Sequence, residues 1–120
     1  MQSNHIADIS LGQQHLDTIK KVAASFPEIE KIILFGSRAI GSHRKGSDID
    51  LALTGQNVTH ATVLRLHDIL DQETMIPYRI DLSNYNTLQN TELKRHIQIH
   101  GVVIFEKRMQ STFDSHVGNR

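Results

Sequence analysis

At 120 residues the chain can build one hydrophobic core but is short for two separate domains. Thirteen basic residues balance thirteen acidic ones, and the aromatics are only four Phe and two Tyr, a composition that argues against a general nucleic-acid binder or an anionic-membrane binder. There is no cysteine, which excludes disulfides and thiolate metal sites, and no apolar run approaches the roughly 18 residues of a membrane span.

The polar start Met1-Gln-Ser-Asn-His has no apolar signal-peptide core, so a soluble, cytoplasmic protein is expected. Leu16, Ile19, Val22, Ala23 and Phe26 recur at helical spacing and predict an amphipathic helix over about residues 11–25, ended by Pro27. Lys31-Ile-Ile-Leu-Phe35 is a short β-branched run stopped by Gly36-Ser37, and residues 47–53 alternate polar and apolar until Gly55; both read as strands. Val63, Leu66, Ile69 and Leu70 mark a second helix over 59–73, capped by Asn57 or Thr59. Pro77 introduces a short strand-like run around Asp81. Leu88, Leu93 and Ile97 suggest a further helix ended by Gly101, and Val102–Phe105 reads as a closing strand. Residues 1–106 thus read as one domain, and 107–120 as a polar tail expected to be flexible.

The chemistry concentrates between Gly36 and Asp50. Strand side chains alternate faces, so Asp48 and Asp50 project to one side about 6.5–7 Å apart, while Ile49, Leu51 and Leu53 point to the core. Two carboxylates so placed repel unless a cation lies between them, and Mg²⁺ is commonly held by one or two carboxylates plus substrate phosphates. Gly36 suits a turn that lets the backbone approach a ligand closely, and Ser37 adds a hydroxyl and an amide. If a short helix starts at Arg38, its free amides would face the same anion, and Arg38, Arg44 and Lys45 could screen phosphate charge. Asp81, with Ile80 and Leu82 turned to the core, falls on the same face as the pair.

Competing motifs fail on their own terms. A P-loop would need Lys where Ser42 stands. A calcium loop would need a carboxylate or amide at Ala52, Gly at Leu53 and Glu at Thr59. His96 and His100 are four apart, but no Glu stands at 97 and no third ligand is evident, so they read as surface or interface residues; His43 reads as solvent-facing.

Phe35-Gly36-Ser37-Arg38-Ala39 through Gly46-Ser47-Asp48-Ile49-Asp50-Leu51 resembles the G-S-x10-D-x-D signature of the DNA polymerase β-like nucleotidyltransferases, in the small branch called MNT, minimal nucleotidyltransferase. The resemblance implies an α+β fold, with a small mixed sheet carrying helices on one face and the active site on the other. It implies Asp48, Asp50 and Asp81 as catalytic, metal-binding carboxylates, and Gly36, Ser37, Arg38 and Ser47 as nucleotide-binding positions. It further implies two Mg²⁺ ions, ATP as substrate, and a helical HEPN toxin as partner in a hetero-oligomer. The toxin would be silenced by AMP placed on a hydroxyl, expected to be a tyrosine's. Two alternatives stand beside this reading. One is a small-molecule nucleotidyltransferase of the antibiotic-modifying type, disfavoured by length; the other is an inert antitoxin that neutralises its partner by occlusion.

Overall fold

A computed structural model describes residues 11–107. In chain order the elements are α1 (Gln13–Ala24), β1 (Lys31–Phe35), α2 (Ser37–Ile40), β2 (Ile49–Thr54), α3 (His60–Gln72), β3 (Ile80–Asn84), a 3₁₀ turn (Tyr85–Thr87), α4 (Thr91–His100) and β4 (Val102–Glu106). Among these residues no helix is long and apolar enough to cross a membrane.

The four strands form one sheet in the order β3-β2-β1-β4. β1 pairs antiparallel with both β2 and β4, whereas β2 and β3 run parallel. A parallel neighbour needs a crossover, and α3 supplies it. The alternation read from the sequence sets the layers. Ile32, Leu34, Ile49, Leu51, Leu53, Ile80, Val102 and Ile104 are buried in one cluster with Leu16, Ile19 and Ala23 of α1 and with Leu66 and Leu70 of α3. The opposite face carries Asp50 and Asp81, as expected, but is not bare: Ile97 of α4 packs there against Phe35 and Ala52 in a second, smaller core. The fold is therefore α+β with a mixed sheet, two helices beneath it and one covering part of the site face.

Local chemistry explains most boundaries. α1 is C-capped by Ser25, two residues before Pro27. Of the two proposed caps for α3, Thr59 is the one used: its side chain accepts from the Thr62 amide, and Thr62 returns the bond to the Thr59 amide. Leu88 does not belong to the last helix; it closes the 3₁₀ turn, and α4 starts only after Asn90, whose side chain accepts from the Leu93 amide. Lys107, read as the first residue of a tail, is anchored: its Nζ donates to the carbonyls of Phe26 (3.0 Å) and Pro27 (3.1 Å), and its amide to Glu30 (2.8 Å). Residues 108–120 of that tail lie outside the described residues.

Thr62 is almost wholly buried and ties α3 to the loop before β1, donating from Oγ1 to Glu28 Oε2 at 2.9 Å. The Glu28 carboxyl is held below its ordinary value chiefly by a backbone amide, against an opposing push from burial, with help from Thr62, Arg65 and Lys107. A carboxyl lowered in the fold contributes stability that is present above its ordinary value of 4.5 and is lost as pH falls through the lowered one. Thr62→Val should therefore cost about 1–2 kcal/mol in urea unfolding at pH 7, with Thr62→Ser retaining most of the stability. The deficit of Glu28→Gln should close in acid; a Thr62→Val protein as stable as the parent would contradict this linkage.

Candidate active site

The spacing between Gly36-Ser37 and Asp48-x-Asp50 is the return path of an antiparallel pair. Phe35, the last residue of β1, lies directly opposite Asp50 in β2, so both side chains share the face that α4 partly covers. Asp50 lies opposite Asp81 across the parallel β2–β3 pair. The middle carboxylate is thus flanked by the glycine turn on one side and by Asp81 on the other.

Gly36 adopts φ 76° and ψ −158°, a backbone region open only to glycine. A Cβ built there would run into the Asp50 carboxylate. The close approach inferred for this glycine is therefore first of all an approach to a protein carboxylate. Ser37, half-buried, opens α2, which spans only Ser37–Ile40 and starts one residue before the position expected. A helix this short has little macrodipole, so any anion here is met by local amides and the Ser37 hydroxyl.

β2 begins two residues later than expected because the preceding turn claims the groups that a ladder would use. Ser47 Oγ accepts from the Arg44 amide at 2.8 Å and donates to the Arg44 carbonyl at 2.7 Å. The Ser47 carbonyl accepts from Arg38 Nε at 3.1 Å and Nη2 at 2.7 Å. Pairing starts at Ile49, whose amide donates to the Arg79 carbonyl at 2.8 Å. Asp48 is consequently an exposed residue at the mouth of the strand, Asp50 is half-buried within it, and Asp81 is exposed on β3. Arg38 is not a solvated loop cation. It is 2% exposed and stacks over the Tyr78 ring at 4.4 Å, binding the loop before Asp48 to the approach of β3. Arg44 and Lys45 are exposed.

The electrostatics show which groups are close. The Asp50 carboxyl is pushed up to about 6, first by desolvation, then by the charges of Asp81 and Asp48, against an opposing pull from Arg38. Among the described residues no three His, Asp or Glu side chains are drawn tightly enough together to enclose an ion. The donor chemistry nevertheless suits a hard divalent cation: three neighbouring carboxylates carry negative charge that the opposing pull of Arg38 on Asp50 does not offset. Beside Asp48 and Asp81, on the side away from Gly36, a cleft of about 420 Å³ opens between β3 and α3, lined by Arg79, His60, Val63 and His67.

Two histidines depart from their expected placement. His43 is only partly exposed, and its Nδ1 is enclosed without a hydrogen-bond partner among the described residues. His96 is half-buried against the site: its Nε2 accepts from the Gly36 amide at 3.0 Å. Helical periodicity identifies Ile97 as the buried neighbour, but no local pattern reveals that Gly36, sixty positions away, lies against His96.

The family model for the polymerase beta nucleotidyltransferase domain matches residues 17–110, from within α1 through β4. The chain belongs to the polymerase β nucleotidyltransferase family. No curated protein matches it. Among solved structures, a chain of a toxin–antitoxin complex with AMP-PNP superposes with a TM-score of 0.65 at 21% identity, over 82% of this chain and 78% of that one. A chain of the toxin–antitoxin MntA–HepT gives 0.61 at 19%, over 84% and 78%. A chain of the complex of tri-AMPylated Shewanella oneidensis HEPN toxin with MNT antitoxin gives 0.60 at 19%, over 84% and 77%. These likenesses establish the nucleotidyltransferase fold.

Proposed function

We propose that this nucleotidyltransferase domain is an MNT antitoxin that transfers AMP from ATP to a hydroxyl, a tyrosine's for preference, of a helical HEPN toxin. The observation that carries the reading is the convergence on Asp50 of a glycine-only turn from one side and Asp81 from the other. Support comes from the fold's likeness to chains of toxin–antitoxin complexes, one with AMP-PNP and one with a tri-AMPylated HEPN toxin.

In this reading the Gly36-Ser37 turn holds the β- and γ-phosphates, and Asp48, Asp50 and Asp81 would hold two Mg²⁺ ions. Bound Mg²⁺ supplies neutralisation of the polyphosphate charge and stabilises the departing pyrophosphate. Sheet order then orients the reaction. Gly36 and Asp81 lie on opposite sides of Asp50, so a leaving pyrophosphate at the turn and an acceptor hydroxyl entering by the cleft beside Asp81 meet the α-phosphorus in line. The hydroxyl oxygen bonds to the α-phosphorus as the α–β anhydride bond breaks. Pyrophosphate leaves with the bonding pair, and Asp81 takes the hydroxyl proton. Arg38 and Ser47, bonded to each other and to the loop, shape the approach to Asp48.

The test is transfer of label from α-labelled ATP to the HEPN partner in Mg²⁺. The expected product is AMP on the partner's tyrosine, absent when Asp48 and Asp50 are both changed to Asn. A double variant that fails to label but still silences the toxin would favour occlusion over catalysis. Label on an aminoglycoside-type hydroxyl but not on protein would favour the small-molecule enzyme.

A further inference from the structure

The Gly36 amide stands between two elements and belongs to neither. β1 ends at Phe35 and α2 begins at Ser37, so neither ladder nor helix provides an acceptor for it. His96 of α4 does, through Nε2 at 3.0 Å. An imidazole nitrogen that accepts carries no proton, so the hydrogen of this ring resides on Nδ1. The ring is itself located by packing: it meets Phe35 edge-on, with centroids 6.2 Å apart, and the adjacent Ile97 is buried with Phe35 and Ala52. Gly36 is thereby confined from both sides, its amide by His96 and its Cα by the Asp50 carboxylate.

We propose that His96 is the positioning residue of the nucleotide site: by accepting the Gly36 amide it fixes the glycine turn in its polyphosphate-gripping form, leaving the phosphate contacts to Ser37 and the residues after it. This rests on the nucleotide reading of the turn. Its hydrogen bond is to the Gly36 backbone and its ring contacts are with Phe35 and His100, so in this role it acts through the backbone it holds. The last helix of the domain, remote in sequence from the signature, thereby sets affinity for ATP.

The comparison is between His96→Leu, which keeps bulk without an acceptor, and His96→Gln, whose amide oxygen can replace Nε2. A hydrogen bond of ordinary strength predicts that His96→Leu raises the KM and Kd for Mg·ATP roughly five- to tenfold with kcat little changed, and that His96→Gln recovers most of the loss. Independently of any nucleotide, the Gly36 amide should exchange with deuterium several-fold faster in His96→Leu. In the parent, ¹⁵N NMR should find the His96 proton on Nδ1. An active parent whose KM for ATP is unchanged by His96→Leu would overturn the positioning role and leave the proposed function standing. A parent that transfers no nucleotide to any acceptor and binds none overturns both. Should His96→Leu fail to fold, a proton found on Nε2 in the parent overturns the inference directly, and a proton on Nδ1 together with near-parent ATP binding by His96→Gln supports it.

Discussion

Asp50→Asn is expected to cut nucleotide transfer by orders of magnitude and, at the same time, to make the protein harder to unfold at neutral pH. The carboxyl is pushed up to about 6 from an ordinary 3.8 by desolvation and by the charges of Asp81 and Asp48. An acid whose folded value lies above its unfolded one favours the fold when protonated. Its stabilising contribution is full below 3.8 and is lost as pH rises through the window from 3.8 to about 6, after which the ionised group is a fixed penalty. The whole shift would correspond to about 3 kcal/mol, but Asp50 is only half-buried, and solvent screening reduces this to about 1–2 kcal/mol. Asparagine removes the penalty along with the charge. Urea unfolding should therefore show Asp50→Asn more stable than the parent at pH 7.5 and no more stable near pH 4, both in the absence of Mg²⁺. Transfer should fall on the order of 10²–10³-fold or more, the scale of losing one electrostatic element of an active site. An Asp50→Asn protein that is less stable at pH 7.5, or that still transfers AMP, would refute the account of this carboxylate as a strained functional group.

The second large effect belongs to Gly36. Alanine there must adopt φ near 76° with ψ near −158°, and its Cβ must displace the Asp50 carboxylate. Backbone strain and overlap together should cost about 2–4 kcal/mol of stability. The damage should reach function separately, because moving Asp50 disturbs the central member of the carboxylate group. Calorimetry should find Mg·ATP binding lost in Gly36→Ala even at temperatures where circular dichroism shows the protein folded. By contrast, Ser37→Ala, at a position with ordinary helical geometry, should leave the unfolding midpoint within error of the parent and weaken only nucleotide binding. A Gly36→Ala protein with parental stability would mean that the turn relaxes freely, and that the fit between Gly36 and Asp50 constrains neither residue.

The parts legible in the sequence were those written in local periodicity. Val63, Leu66, Ile69 and Leu70 located α3 to within a residue at each end, and the alternation through Ile49, Asp50 and Leu51 put the carboxylate on the face opposite the main core. Asp81 followed from the same alternation, since Ile80 is buried and Asp81 exposed. What local pattern does not carry is the partner of a side chain across the fold. Arg38 was readable as a cation free to screen phosphate charge, yet Ser47 and Tyr78 bury it; an arginine that donates twice to one carbonyl leaves no periodic trace. The helix over the site face was foreseen as an element but not as a neighbour of the signature. Its contact with Phe35 depends on β4 returning beside β1, a long-range pairing that composition cannot specify. Gly36 shows the same limit in sharper form: its identity was read as a concession to a ligand, whereas the nearest demand for a missing Cβ comes from Asp50.

That the Gly36 amide depends on a ring sixty positions downstream has a consequence for the protein's birth. During vectorial synthesis the signature emerges early, but β1 remains open on one side until β4 arrives, and the histidine follows nearly all the rest of the domain out of the ribosome. Nascent or prematurely terminated products would thus display the carboxylate motif before its glycine turn is fixed. On the role proposed for His96, the full nucleotide grip becomes a property of the finished domain rather than of the signature alone.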